Sequence, residues 1–198
     1  MILDHEFYIG PDVVKISRNL LGKVLYTFID DQITSGKIVE TEAYCGLSDR
    51  ASHAYPNKMT QRNKIMFETG GVAYVYFIYG MHHMFNIVTG EANLPNAVLI
   101  RALEPVEGIE VMCRRRKRET INRITSGPGS LSRAMGIDLR LNGHSLISKK
   151  IWIEDTEEAV PGSDIVATSR IGIDYAGEDA SLNWRFYIKD NPWISKKG

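Results

Sequence analysis

The sequence predicts a single α+β domain that spans residues 1–198. Several short runs of apolar, β-branched and aromatic residues are typical of strands, and turn residues separate them. Other segments have proline near their start and glycine just past their end, which is typical of helices. No internal repeat, low-complexity tract or linker divides the chain, and its 43% hydrophobic residues are enough for one core.

The first half of the chain predicts a helix, a hairpin and a long loop. Residues 11–22 begin with Pro-Asp and end with Gly, and therefore predict a helix. The runs KVLYTF at 23–28 and GKIVETEAY at 36–44 flank a polar turn at 30–32, so we expect them to form a β-hairpin. Periodicity is lost over residues 45–68, which predicts a long loop of the kind that often carries function.

The second half begins with another hairpin. Residues 70–88 form two strand-like runs around Gly80, which we expect at a turn position with positive φ. A buried strand follows at 97–103, and Pro105 predicts the start of a helix that ends in the basic run 114–118. The remaining predicted elements are a helix at 131–135 after the glycine-rich residues 126–130, and strands at 150–153, 165–168, 170–173 and 184–188.

Charge and composition exclude several classes of protein. The 24 basic and 24 acidic side chains give a net charge of zero, which argues against a protein that simply coats a polyanion. The run RRRKR at 114–118 is by default a solvated helix end, although such a local positive field also permits contact with nucleic-acid phosphates. Without a long apolar window, a basic N-terminal signal or a C-x-x-C pair, we expect an intracellular protein outside the membrane.

A tyrosine at the tip of the predicted hairpin is unusual, because turn tips normally carry small or polar residues. One interpretation is that Tyr79 folds back onto the core. The other is that Tyr79 is a wedge that enters something flat and stacked, such as a base step in DNA. Strict alternation places Tyr76 and Tyr79 on opposite faces, so the turn at Gly80 must redirect Tyr79 if both serve one site.

Period-two alternation places Glu40, Glu42 and Tyr44 on one face of a predicted strand. Such a charged face is usually solvated. The alternative is the wall of a cleft, where burial raises the pKa of a carboxyl group. Arg101 interrupts an apolar strand and needs a partner or a cavity, and a purely structural pair with Glu40 satisfies that need.

Three kinds of active site fit the polar residues. A carboxylate could activate water in an aromatic pocket formed by Glu42, Tyr44 and Tyr76, with Arg101 as its electrostatic partner. A nucleophile at Cys45 is disfavoured because no base is assigned and no G-x-S-x-G motif is present. A metal site is disfavoured because the spacing matches no H-E-x-x-H motif, and adjacent histidines on a strand point to opposite faces. The candidate metal ligands are Glu42, Asp49, His53, His82 and His83.

Separated motifs cover nearly the whole chain in a fixed order. They include IVETEAY at 38–44, ASHA at 51–54, TQRN at 60–63, YVYFIYGM at 74–81, Asn86, LIRALEP at 99–105 and RIGI at 170–173. Together these motifs resemble the signature of the alkyladenine (3-methyladenine) DNA glycosylases. Several motifs in the order of one family are far more specific than any of them alone.

The resemblance implies a fold and an activity. The implied fold is a single mixed domain with surrounding helices around a curved antiparallel sheet, from which a β-hairpin enters the minor groove of duplex DNA. The implied enzyme is a monomer without a cofactor or metal, which releases 3-methyladenine, 7-methylguanine, hypoxanthine or ethenoadenine and leaves an abasic site. The alternative is a non-catalytic protein that binds DNA lesions, and such a protein has no reason to keep Glu42 beside Tyr44.

The resemblance also implies roles for individual residues. Glu42 acts as general base on a water that Arg101 and the backbone near Ile171 also hold. Tyr79 intercalates and fills the gap that the extruded nucleotide leaves. Asn86 guards the pocket against the 2-amino group of normal guanine. The side chains expected to stack on the base are Tyr44, His53 and Tyr76. The sequence departs from the family at His82, His83 and Met84, beside the pocket strand.

Overall fold

A curled antiparallel sheet of eight strands forms the framework of the part of the chain, residues 1–156 and 159–198, that the computed structural model describes. The main path of the sheet has the order β3-β4-β5-β2-β1-β6, and β8 pairs with β2 and β7. This confirms the predicted α+β class and the curved sheet. The strands are β1 (Val24–Ile29), β2 (Gln32–Tyr44), β3 (Ala73–Ile78), β4 (His82–Thr89), β5 (Asn96–Glu107), β6 (Ile151–Glu154), β7 (Ile165–Thr168) and β8 (Arg185–Ile188).

The long strand β2 is the centre of the sheet. It pairs with β5 on one side, and on the other side first with β1 and then, from Glu40 to Glu42, with β8. The register against β5 shifts on both sides of Glu40. Such irregularities increase the local twist and re-aim side chains. The segment that carries both glutamates is therefore covered by a strand on each side.

The helices pack their apolar side chains against the sheet. Asp12 caps α2 by accepting a hydrogen bond from the Lys15 amide, which confirms the predicted helix start. The helices are α1 (His5–Tyr8), which was not predicted, α2 (Val13–Asn19), α3 (Ile109–Arg116) and α4 (Pro128–Met135), with 3-10 turns at Lys64–Phe67, Leu139–Leu141, Gly162–Asp164 and Asp174–Ser181. The largest core cluster includes Ile16, Met112 and Leu131 from helices and Ile38, Phe85 and Ile100 from strands.

Two predicted elements are wrong. Pro105 does not begin a helix, because β5 continues through it and pairs Pro105 with Gly36 beside a register shift. The helix begins after Gly108, whose φ of +73° and close approach to Ile33 require glycine. Residues 170–173 form a bend instead of a strand, with Gly172 at a φ of +76°. In both places, a tertiary contact overrides a local pattern.

The other predicted segments agree with the structure. Residues 45–68 consist of turns that end in a 3-10 helix, and residues 70–88 contain the hairpin formed by β3 and β4. Gly80 has the expected positive φ, at +66°. Within the described ranges, every helix is too short or too polar to cross a membrane.

Candidate active site

A cavity of about 320 Å³ opens beside the β3–β4 hairpin. The loop around residues 51–53 and the bend at 171–173 complete its walls. The structure brings to this one cavity all eight residues to which the sequence assigned a role. They are Glu42, Tyr44, His53, Tyr76, Tyr79, Asn86, Arg101 and Ile171.

Glu42 is fully buried, so the interpretation of its strand face as solvated is wrong. Its Oε1 accepts a hydrogen bond from the backbone amide of Ile171 at 2.8 Å. Its Oε2 accepts one from the Tyr44 hydroxyl at 2.8 Å and one from Arg101 Nη1 at 3.1 Å. A carboxylate has about four acceptor positions, so one remains for a further donor.

Two of the donors to Glu42, the Tyr44 hydroxyl and the Arg101 guanidinium, hold their protons tightly. Burial and the Glu42 carboxylate raise the pKa of Tyr44 well above its ordinary value, so the phenol keeps its proton and donates. Burial alone lowers the pKa of Arg101, but the carboxylates of Glu42 and Glu40 more than offset this effect, and the pKa lies above its ordinary value. The guanidinium is therefore charged wherever the fold persists.

Glu40 anchors Arg101 from the side away from Glu42. Its buried carboxylate accepts hydrogen bonds from Arg101 Nε at 3.0 Å and from Arg185 Nη1 at 2.7 Å. The Ser195 hydroxyl and amide donate to the same carboxylate at 2.8 Å and 2.5 Å. Arg101 therefore has both a structural partner and a partner in the cavity. Sequence reasoning missed Arg185, although, like Arg101, it lies in an otherwise apolar strand.

Three aromatic rings form one wall of the cavity. The ring centroids of His53 and Tyr76 are 4.6 Å apart, and those of Tyr74 and Tyr76 are 5.4 Å apart. His53 Nδ1 lies 3.0 Å from the Tyr74 hydroxyl, whose pKa is raised by burial to about 12. Burial and the nearby Arg62 guanidinium lower the pKa of His53, so its ring is neutral near pH 7. Tyr74 was not predicted as a site residue.

Asn86 lies in the floor of the cavity. It is 4% exposed and occupies β4 between Tyr74 of β3 and Leu99 of β5. Its Nδ2 donates a hydrogen bond to the Tyr74 carbonyl at 3.2 Å, which fixes the orientation of the amide. A buried and fixed side chain gives the cavity floor a defined shape.

A buried ion pair supports the opposite wall. Arg170 pairs with Asp49 through both terminal nitrogens, and both side chains are fully buried. The Arg170 guanidinium lies 4.8 Å from the centroid of the Tyr44 ring and 5.2 Å from that of Trp184. The pair thereby fixes Tyr44 and the backbone next to Ile171, and it had no counterpart among the predicted roles.

The candidate metal ligands do not come together. Asp49 pairs with Arg170 and Glu42 with Arg101, while His82 and His83 lie on the hairpin. Among the residues that the structure describes, no three His, Cys, Asp or Glu side chains are arranged to hold a metal ion.

Tyr79 projects from the hairpin tip. It is 80% exposed, so the interpretation in which it folds back onto the core is wrong. Its φ is +54°, unusual for a non-glycine residue, and the Met81 amide closes the turn on the Ile78 carbonyl at 3.2 Å. The turn places Tyr79 at the rim of the cavity that Tyr76 also lines, as the redirection hypothesis requires.

The chain is similar to known proteins along its whole length. The family model described as "Methylpurine-DNA glycosylase (MPG)" matches residues 6–192. Two relatives named "Putative 3-methyladenine DNA glycosylase", from Alkaliphilus oremlandii and Clostridium botulinum, are each 47% identical, with 100% of both chains covered. A relative with the same name from Chlamydia abortus is 46% identical over 94% of this chain and 98% of its own.

Proposed function

This chain belongs to the methylpurine-DNA glycosylase family, and on that premise we propose that it flips alkylated or deaminated purines out of duplex DNA and hydrolyses their N-glycosidic bond. The proposed substrates are 3-methyladenine, 7-methylguanine, hypoxanthine and ethenoadenine. The observation that carries the proposal is Glu42, a buried carboxylate held by three donors at the wall of an aromatic cavity. A base in the duplex stack is inaccessible, so the enzyme must first extrude it.

In the proposed mechanism, Glu42 removes a proton from the attacking water. Cleavage of the glycosidic bond builds positive oxocarbenium character on the sugar, which a nearby carboxylate also stabilises. The water adds to the sugar carbon, its proton passes to Glu42, and the bond to the base nitrogen breaks with its electron pair leaving on the base. A cationic alkylated purine thereby leaves as a neutral base, and an uncharged purine such as hypoxanthine takes up a proton from solvent water. Arg101 and the Ile171 amide orient the carboxylate, because each donates a hydrogen bond to one of its oxygens.

The aromatic wall recognises the flipped base in this proposal. Alkylated purines are electron-poor and often cationic, and they stack favourably on electron-rich rings. Tyr44, Tyr76 and the neutral His53 ring line the cavity from different elements. Discrimination by stacking requires no hydrogen bond to the lesion, which is consistent with a broad substrate range.

A lesion-binding protein without catalysis is the competing candidate. Such a protein needs the wedge and the aromatic wall, but it gains nothing from a buried carboxylate. The mechanism proposed here uses water as the nucleophile, so it requires no lysine nucleophile.

We further propose that the protein acts as a monomer, through the minor groove, wherever the cell keeps its DNA.

One assay separates the candidates. The protein is incubated in EDTA with duplexes that carry hypoxanthine or 3-methyladenine, and alkali-labile sites are counted. We expect release of the free base in EDTA and strand scission only after alkali treatment. Strand breaks that depend on added metal indicate a nuclease, and tight binding without base release indicates the lesion-binding protein.

Removal of the wedge is expected to weaken flipping and leave the fold intact. Tyr79→Gly removes the ring and also the cost, about 1 kcal/mol, of a left-handed non-glycine residue, so its melting temperature should equal or exceed that of the wild type. The rate of base release at subsaturating enzyme should fall at least about tenfold, because no inserted ring then offsets the free-energy cost of unstacking the base. Tyr79→Phe keeps the ring and is the matched control. A Tyr79→Gly variant with wild-type activity excludes a wedge.

Replacement of Asn86 is expected to relax the exclusion of guanine. Hypoxanthine and guanine differ only by the 2-amino group, so they form a matched pair of substrates. In Asn86→Ala we expect the single-turnover rate of guanine release to rise about tenfold relative to that of hypoxanthine, the effect of a small steric contact. Ile87→Val, on the same strand but outside the cavity lining, is the control. An unchanged ratio contradicts the guarding role.

A further inference from the structure

A second cavity, of about 390 Å³, lies against the same hairpin. Met81, His82 and His83 line it from the hairpin, and Gly129 lines it from the start of α4. The rest of its lining is dominated by guanidinium groups, and we call the cavity the basic cleft. These groups belong to Arg115 and Arg116 of α3, Arg133 of α4 and Arg140.

The basic cleft lies next to the cavity that Glu42 and the aromatic rings line, which we call the aromatic cavity. The β3–β4 hairpin and the start of α4 lie between the two. Along the hairpin, Tyr79 borders the aromatic cavity and Met81 borders the cleft. Along α4, Pro128 borders the cavity and Gly129 the cleft. Gly129 packs directly on His82, since a Cβ there would lie 2.8 Å from the His82 ring. Only the hairpin turn and the first turn of α4 separate the two sites.

Among the described residues, a carboxylate forms an ion pair with only one arginine of the cleft. Arg140 pairs with Asp138 at 2.8 Å. Arg115 instead donates to neutral oxygens, those of the Ile29 carbonyl at 3.0 Å and of the Thr34 hydroxyl and the Ala134 carbonyl at 3.3 Å each. Asp30 is the other acidic residue of the lining, and no ion pair joins it to Arg115 among the described residues. Burial lowers the pKa of Arg115, and the nearby Asp30 carboxylate offsets this effect only in part.

In the part of the chain that the structure describes, Arg116 is the clearest case of an arginine without a counter-charge. It is half-buried, and its Nε has no hydrogen-bond partner among the described residues. Burial and repulsion from Arg118 and Arg133 lower its pKa. Arg133 is itself held by a neutral acceptor, the Arg115 carbonyl, at 2.8 Å. Partly desolvated guanidinium groups that repel one another favour an anion between them.

We propose that the basic cleft binds a backbone phosphate of the duplex close to the nucleotide that Tyr79 displaces. The proposal rests on the proposed function, since it takes DNA as the partner. A phosphodiester carries one negative charge and acceptor oxygens only, which matches the arginine donors. The cleft mouth includes Met81, which is 68% exposed and two residues from Tyr79, so a duplex seated on the wedge also passes the cleft.

A charge-removal experiment tests the proposal. The variant carries Arg116→Gln and Arg133→Gln, while Arg115 is kept because it joins three elements. Its dissociation constant for a duplex with an uncleavable abasic-site analogue is measured over a range of salt concentrations. We expect affinity to fall about tenfold at low salt and the slope of log K against log salt to decrease by about 0.9, the value for one phosphate.

Matched controls make the outcome specific. Lys15→Gln with Arg18→Gln removes two exposed charges from α2 and should leave affinity and slope unchanged. Neutral methylphosphonates are then introduced singly into either strand. At one position near the analogue, the methylphosphonate should lower the DNA affinity of the wild-type protein about tenfold and that of the cleft variant hardly at all. Melting temperatures establish that each variant is folded.

Two outcomes overturn the proposal. One is a cleft variant with the affinity and salt slope of the wild type. The other combines two results. Inorganic phosphate alone raises the melting temperature of the wild-type protein but not that of the cleft variant, and no methylphosphonate position changes the affinity for DNA. This result identifies a site for free phosphate. Release of hypoxanthine by the wild-type protein tests the proposed function separately. The two inferences can therefore fail independently of each other.

Discussion

Glu42→Gln is expected to lower the single-turnover rate of base release about 1,000-fold, within the range that general base catalysis contributes. The amide has nearly the shape of the carboxylate, but it neither takes a proton from water nor stabilises positive charge on the sugar. Its carbonyl oxygen still accepts the hydrogen bond of the Ile171 amide, and Arg101 keeps Glu40 as a partner. We therefore expect the variant to fold, at a cost of about 1–3 kcal/mol in the free energy of unfolding.

The measurement is release of hypoxanthine from a duplex with enzyme in excess, followed by alkaline cleavage. Affinity for an abasic-site analogue should stay within about threefold of that of the wild type, since binding of a site without a base uses the wedge and not the Glu42 carboxylate. Glu104→Gln, which changes a carboxylate paired with Lys37 away from the cavity, is the control. A rate within tenfold of the wild type refutes Glu42 as the base.

Glu40→Gln is expected to have the opposite profile, with a large loss of stability and a smaller loss of rate. The buried Glu40 carboxylate is the shared counter-charge of Arg101 and Arg185. Its neutralisation leaves an excess of buried positive charge, and breaking such a pair costs about 3–5 kcal/mol. For a chain of this length, that corresponds to a fall of roughly 6–20 °C in melting temperature.

Denaturant unfolding and single-turnover kinetics on the same preparations separate the two glutamates. In Glu40→Gln, Arg101 loses its anchor but keeps Glu42, so we expect the rate of base release to fall about tenfold in the folded protein. Glu104→Gln again serves as control and should change the free energy of unfolding by less than about 1 kcal/mol, as expected for a partly exposed pair. Equal stabilities of the Glu40 and Glu104 variants refute a structural role for the buried network.

Local patterns were sufficient for most of the framework. Alternation in 36–44 and the apolar run at 97–103 predicted strands, and an aromatic run broken at Gly80 predicted the hairpin, because side-chain pattern along a strand and the φ of a turn are local properties. The same patterns failed at Pro105 and at 170–173. There, the path of the chain is set by contacts with distant segments, as the close approach of Gly108 to Ile33 illustrates.

The site residues reach the same cavity from five separate segments of the chain, namely β2, the loop at 45–68, the hairpin, β5 and the bend at 170–173. Residue types alone suggested a pocket of Glu42, Tyr44 and Tyr76 with Arg101. The roles of His53, Asn86 and Ile171 came only from a resemblance of motifs. The supporting residues had no such signal. Asp49 and Arg170 are 121 positions apart, and each alone resembles an ordinary surface charge. A charged residue that is buried with a partner can be recognised only when both are placed in space.

The sequence by itself determined that Glu40, Glu42 and Tyr44 share a strand face and that Tyr79 stands at a hairpin tip. Only the tertiary structure decided that this face is buried, because the bend at Ile171 and the segment around Ser195, 155 residues beyond Glu40, cover it. A buried carboxylate requires hydrogen-bond donors, and Arg101 donates to both glutamates, through Nε to Glu40 and through Nη1 to Glu42. Alternation determines which face of a strand each side chain occupies, whereas the burial of that face depends on which distant segments fold over it.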